Sequence, residues 1–182
     1  MIDDKAMIYL HSGNTGNTGV TVLTNNLDKV EYRFAVRDDV PELIRMIVDD
    51  ALGATRDVFA DPLPDIYWQA WDKMEHQGFN KIIVATIGGK IVGCLTLTLI
   101  TGLGRMGMTR AQIESVRVDT PLRGQGIGER LMRHAIAMAQ EMGCGLVQLT
   151  TDNTRPDAHR FYENMGFVAS HVGMKLILEQ KQ

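Results

Sequence analysis

From Glu31 onward, apolar positions recur with two different periods, and the switches between them mark the elements. Tyr32, Phe34 and Val36 alternate with polar residues, a period of two that predicts a strand. Leu43, Ile44, Ile47, Val48 and Leu52 then follow helical spacing, with Asp38 or Asp39 placed to cap the helix and Pro41 tolerated in its first turn. A proline-punctuated loop over 57–64 leads to a second helix from Asp65 to about His76. Residues 81–87 and 91–99 predict two strands joined through Gly88-Gly89, a dipeptide suited to a tight hairpin. The second run is almost continuously apolar and β-branched, which predicts a central strand. After a glycine- and methionine-rich loop over 102–108, residues 111–118 predict a further strand. Its apolar residues Ile113, Val116 and Val118 miss strict alternation, which implies a bulge near Ser115 and Val116. Leu131, Ala135, Met138 and Met142 set a helix running from Ile127 to the stop at Gly143. A short strand over 146–150, a helix over 156–165 closed by Gly166, and a last strand over 167–178 complete the order. The fold class expected is α/β: a mixed sheet flanked by helices.

Bulk properties narrow the setting without naming a function. Residues 11–19 are polar, glycine-rich and nearly repetitive, so 1–30 is expected to be a mobile extension and 31–182 the folded domain. A formal charge of −3 places no demand on nucleic acid or membrane as partner. No apolar run is long enough to span a bilayer, and Asp3 and Asp4 stand where a signal peptide carries positive charge. Cys94 and Cys144 are only two, without close His/Cys or His/His ligand spacing, so neither a disulfide framework nor a metal site is expected. These features fit a cytoplasmic protein.

The sharpest chemical signal is Val116-Arg117-Val118-Asp119, which passes through a turn into Arg123-Gly124-Gln125-Gly126-Ile127-Gly128 and then an amphipathic helix. A helix N-terminus presents unsatisfied N–H groups and the positive end of the backbone dipole, and so attracts phosphates. Glycines let the backbone approach an anion closely, and Arg123 adds a charge. A second glycine string, Gly102-Leu103-Gly104-Arg105-Met106-Gly107, matches a dinucleotide fingerprint but is followed by a predicted strand where the fingerprint must open a helix. It fails its own context.

The first glycine string resembles the cofactor motif of the GNAT superfamily of acyl-CoA N-acyltransferases, Gln/Arg-x-x-Gly-x-Gly/Ala, with Arg123, Gly126 and Gly128 at its fixed positions. A second block, Asn153 followed by Ala158-His159-Arg160-Phe161-Tyr162-Glu163-Asn164-Met165-Gly166-Phe167, is similar to the ending of that superfamily. The resemblance covers roughly 31–178. It implies a mostly antiparallel sheet with splayed strands, and acetyl-CoA as acetyl donor. Its pantetheine arm would lie along Val116, Arg117 and Val118, and its pyrophosphate in 123–128, Gln125 and Ile127 included. Asn153 and Phe161 would line the cofactor's other side.

The same resemblance places Tyr162 near the cofactor sulfur as general acid. A phenol with a pKa of ~10 can protonate a thiolate whose conjugate thiol has a pKa of about 8.5. Glu114 interrupts an apolar strand just before the splay. Burial there would raise its pKa toward that of a useful base, a role the resemblance supports, while an outward-facing position or a contact to substrate charge stays open. The N–H of Val116 is the expected oxyanion donor. Asp57, Asp61 and Asp65 sit where the family builds acceptor pockets, with a solvated acidic loop as the alternative. Transfer to a primary amine of a small molecule is the leading expectation, and a homodimer is left open. The alternatives are a protein or peptide N-acetyltransferase and a non-catalytic acyl-CoA-binding regulator. The tail from Asp157 to Tyr162, with Ser170 and His171, also resembles that of aminoalkylphosphonate acetyltransferases.

Overall fold

A computed structural model of the chain describes residues 29–50 and 53–178. The extension expected over 1–30 falls almost wholly outside the described residues, as does Leu52. The first strand, β1 (Val30–Phe34), begins at the edge of that expected extension. After a 3-10 turn come α1 (Val40–Val48) and α2 (Asp65–Glu75). Strands β2 (Asn80–Ile87) and β3 (Lys90–Thr101) follow. A four-residue turn, α3 (Gly104–Gly107), leads to β4 (Thr109–Val118). The chain then passes through α4 (Ile127–Glu141), β5 (Leu146–Leu149) and α5 (Pro156–Asn164). The strands pair in sequence order: β1 to β4 are antiparallel, and β5 joins β4 in parallel.

The central position expected for 91–99 follows from its burial on both faces. Ile91, Val92, Cys94, Leu95 and Leu97 are all buried, and β3 pairs with both β2 and β4. Toward one face, Leu95, Leu97, Ala111 and Ile113 pack under Ile127, Leu131, Met132, Ala135 and Ala139 of α4. Toward the other, Val84, Ile91 and Cys94 meet Leu43 and Met46 of α1, with Trp71 of α2 alongside. Each fully buried leucine contributes about 1.5–3 kcal/mol of transfer free energy. Burial also pushes the Cys94 thiol up to about 12, so it is an inert core group. The hairpin at Gly88-Gly89 forms as its composition predicts: both residues have positive φ, 57° and 81°, which a two-residue turn of this hand requires.

Several expectations fail for identifiable reasons. No strand forms over 167–178. Val172, Met174, Leu176 and Ile177 are 85–93% exposed, and β5 pairs only with β4. An alternating or apolar pattern gives a segment the faces of a strand, but only a ladder partner makes it one. Asp39 does not cap α1 through its side chain. Its carboxylate takes two hydrogen bonds from Arg33, at 2.6 and 2.9 Å, and one from the N–H of Val36 at 2.8 Å. Arg33 thereby holds the Asp39 carboxyl below its ordinary range. The methionines divide: Met46 and Met132 are buried, while Met106 and Met174 are exposed. Among the described residues, no helix is long and apolar enough to cross a membrane.

Candidate active site

The bulge expected near Ser115 is present, and it shapes the site. Ser115 has a left-handed φ of 53°, and the β3–β4 register slips between Cys94 and Thr96. One extra residue restores the phase, so Val116 and Val118 return to the α4 face already occupied by Ala111 and Ile113. Arg117 is thereby turned to the α1 face, opposite Cys94.

Pairing between β4 and β5 stops at Ile113 and Leu149, although β4 runs on to Val118. Beyond that point the two strands part, and the edge of β4 facing β5 carries no strand partner. The chain then turns into the glycine string. Gly124 and Gly126 have φ of 76° and 83°, a region in which any side chain is strained, and Gly126 is the residue from which α4 starts. The opening amides of α4, at Ile127, Gly128 and Glu129, have no acceptor among the described residues, as the first turn of a helix leaves them. Gly128 is different. A Cβ there would lie 3.4 Å from Val118 and 3.8 Å from Phe161, ordinary contact distances, so α4, β4 and α5 converge at this residue. Phe161 therefore stands beside Gly128 of the glycine string.

Arg123 is tied back more firmly than the sequence implies. Its Nε donates to the Val118 carbonyl at 3.1 Å, and its Nη2 lies 3.8 Å from Asp49 of the α1 C-terminus. Asp49 also accepts from the Thr120 hydroxyl. Gln125 donates to the Pro121 carbonyl at 3.2 Å. Below them, buried Asp119 accepts from Arg45 at 2.8 Å, and Arg45 in turn holds Glu42. The glycine turn is thus clamped to α1 by side chains that surround it.

Asn153 and Tyr162 line an open groove of about 1470 Å³ that runs along β5 and the segment after α5, with neither 114–118 nor 123–128 in its lining. Tyr162 packs edge-on against Phe161 and Phe167, with centroids 5.2 and 6.0 Å apart. Burial raises its phenol pKa, and the charges of Arg155 and Arg117 pull it partly back. Glu114 is exposed, so the burial expected to tune it is not imposed. Its partner across β3 is Thr96.

Two of the three acidic loop residues, Asp61 and Asp65, are solvated charges, while Asp57 is partly buried and lies 3.6 Å from Arg56. The carboxylate that does reach the cleft is Asp50, which sequence reasoning passed over. Asp50 lies 3.5 Å from Arg117 and 3.6 Å from Arg155. Both separations are longer than a good hydrogen bond. The Oδ2 of Asp50 and the Nε of Arg117 are buried without a hydrogen-bond partner, an arrangement that costs about 1–3 kcal/mol per group. Nothing in the pattern of single residues foretells this cluster, because its members come from α1, β4 and the turn before α5. Among the described residues, no three His, Cys, Asp or Glu side chains gather as metal ligands.

Known proteins similar to this chain include N-acetyltransferases. An aminoalkylphosphonate N-acetyltransferase of Salmonella typhimurium is 35% identical over 88 residues, covering 48% of this chain and 56% of that one. Human N-alpha-acetyltransferase 30 is 34% identical over 136 residues, covering 75% of this chain and 34% of its own. The matches therefore span less than two thirds of these relatives' length. A Bacillus halodurans C-125 protein described as a transcriptional regulator superposes with a TM-score of 0.79 at 45% identity, over 82% of this chain and 99% of that one. Residues 44–167, from α1 to the end of α5 and the splayed strands between them, match the acetyltransferase (GNAT) family, and the chain belongs to it.

Proposed function

We propose that the chain transfers the acetyl group of acetyl-CoA to a primary amine of a small molecule by direct attack. The observation that carries this reading is that β4, past the point where β5 leaves it, the glycine turn opening α4, and α5 meet around Gly128, beside Val118 and Phe161. Amides at 124–128 receive the pyrophosphate, and Arg123 supports them as a clamped neighbour. The pantetheine arm takes the ladder position that β5 vacates beside Val116, Arg117 and Val118, with Asn153 opposite. The N–H of Val116 polarises the thioester carbonyl.

The amine nitrogen attacks the carbonyl carbon, the N–C bond forms and the C–S bond breaks. Glu114 takes the amine's surplus proton through water. Tyr162 gives its proton to the departing thiolate. The phenol stays protonated at neutral pH and so remains a donor, while burial makes it a weaker acid.

The test is thiol release from acetyl-CoA over a panel of amines. Tyr162→Phe keeps the ring and removes the proton, so turnover should fall about 10²-fold while acetyl-CoA affinity holds within about twofold. Wild-type turnover in that variant would assign Tyr162 to packing. The likeness to the Bacillus halodurans protein favours a second reading, an acyl-CoA-binding regulator. Tight acetyl-CoA binding with no turnover of any amine or peptide would select it.

A further inference from the structure

The cluster of Asp50, Arg117 and Arg155 is unlike the other ion pairs of the described residues that hold buried carboxylates. Asp39 and Asp119 take guanidinium hydrogen bonds at 2.6–2.9 Å. Asp50 is about as buried, with 13% of its side chain exposed, yet both of its arginines stand off at 3.5 and 3.6 Å. Arg117 is 11% exposed and spends Nη1 on the Val116 carbonyl at 2.9 Å, which leaves its Nε orphaned. One buried acceptor and one buried donor therefore wait side by side, and Arg155, 43% exposed, closes the third side.

Position gives the cluster its meaning. Arg117 belongs to the stretch of β4 that β5 has left, Arg155 stands at the start of α5, and Asp50 follows α1. Both arginines act electrostatically on Tyr162, so the cluster lies within electrostatic range of the phenol assigned to the leaving thiolate. Two guanidinium groups against one carboxylate leave a net positive charge that suits an oxyanion. The orphaned Asp50 oxygen needs a donor, which an amine supplies. An oxyanion alone would leave Asp50 unsatisfied, and an amine alone would leave Arg117 so.

We propose that Asp50, Arg117 and Arg155 form the acceptor subsite, and that it selects amphoteric amines whose nitrogen lies one or two carbons from a carboxylate or phosphonate. The proposal rests on the acetyl-transfer reading above. The oxyanion accepts from Arg117 Nε and Arg155, and the amine donates to Asp50 Oδ2, which orients its lone pair toward the cleft. Sites built to hydrogen-bond a substrate group reject analogues that lack it, because their own buried groups are then left unpaired.

The experiment compares kcat/KM for aminomethylphosphonate, β-alanine, propylamine and putrescine with the full chain and with Arg155→Gln. The exposed position of Arg155 keeps this variant folded where Arg117→Gln risks the core. At least one amphoteric amine should exceed propylamine and putrescine by about 10²-fold or more, and Arg155→Gln should lower that ratio at least about tenfold. Aminomethylphosphonate against β-alanine tells which oxyanion is taken. Equal or better use of propylamine or putrescine, or a ratio unchanged in Arg155→Gln, overturns the proposal. Where no amine turns over, calorimetric titration of aminomethylphosphonate and β-alanine into the CoA-saturated protein decides. Binding that Arg155→Gln abolishes upholds the subsite while acetyl transfer fails, and no binding of either overturns the subsite as well.

Discussion

The glycine turn after β4 and the outer edge of β5 are finished in opposite ways. Around the glycine turn that follows β4, the chain is tied at every step: Arg45 to Asp119, Thr120 and Arg123 to Asp49, Gln125 to Pro121. Along β5, the outer edge has no ladder partner among the described residues, and the apolar residues that follow α5 stand in solvent. The contrast shows where geometry has been fixed in advance. Binding a pyrophosphate on backbone amides demands that those amides already point inward, and prior ordering removes an entropy cost from binding. The β5 side carries no such demand among the described residues.

Gly126→Val breaks the comparison most severely. A β-branched residue at a φ of 83° cannot keep the turn, and its side chain intrudes where the anion would sit. Acetyl-CoA affinity measured by calorimetry should fall about 10²-fold or more, with the helix content of α4 retained by circular dichroism. Asp119→Ala attacks the same region from beneath. It strips Arg45 of one of its two carboxylates and removes a buried charge-assisted hydrogen bond, so urea unfolding should show a loss of about 2–3 kcal/mol. Leu176→Ser combined with Ile177→Ser should change stability by less than about 0.5 kcal/mol, since both side chains are already in water. A large loss there would mean that the segment packs in solution and that the β5 side is as well finished as the other.

Acid sharpens the comparison further. Arg33 depresses the Asp39 carboxyl, so that pair's contribution is complete above the unfolded carboxylate pKa of about 4 and disappears as pH falls through the lowered folded value. Arg33→Ala should flatten the acid limb of stability against pH, and leave the neutral range with only a constant offset.

How legible these regions are in the sequence follows the same division. Elements written by periodicity were readable: α4 from Leu131, Ala135 and Met138, the β2–β3 hairpin from Gly88-Gly89, the bulge from the broken alternation at Ser115. The glycine turn was readable because backbone conformation itself demands glycine at Gly124 and Gly126. Residues 167–178 misled because strand composition says nothing about whether a partner edge is available. For Glu114 the sequence left burial and exposure both open, because one residue of phase decides between core and solvent, and the bulge lies beside it. Asp50, Arg117 and Arg155 were illegible as a group, being brought together only by the tertiary fold.

Amide hydrogen exchange with and without acetyl-CoA tests the account most directly, since it reads the backbone on which the claim rests. New protection should appear at 124–129 and along 116–118, with 102–107 and 168–178 unchanged. Protection that falls on the glycine loop at 102–107, or leaves 124–129 exchanging as before, would contradict the assignment of the cofactor to the start of α4.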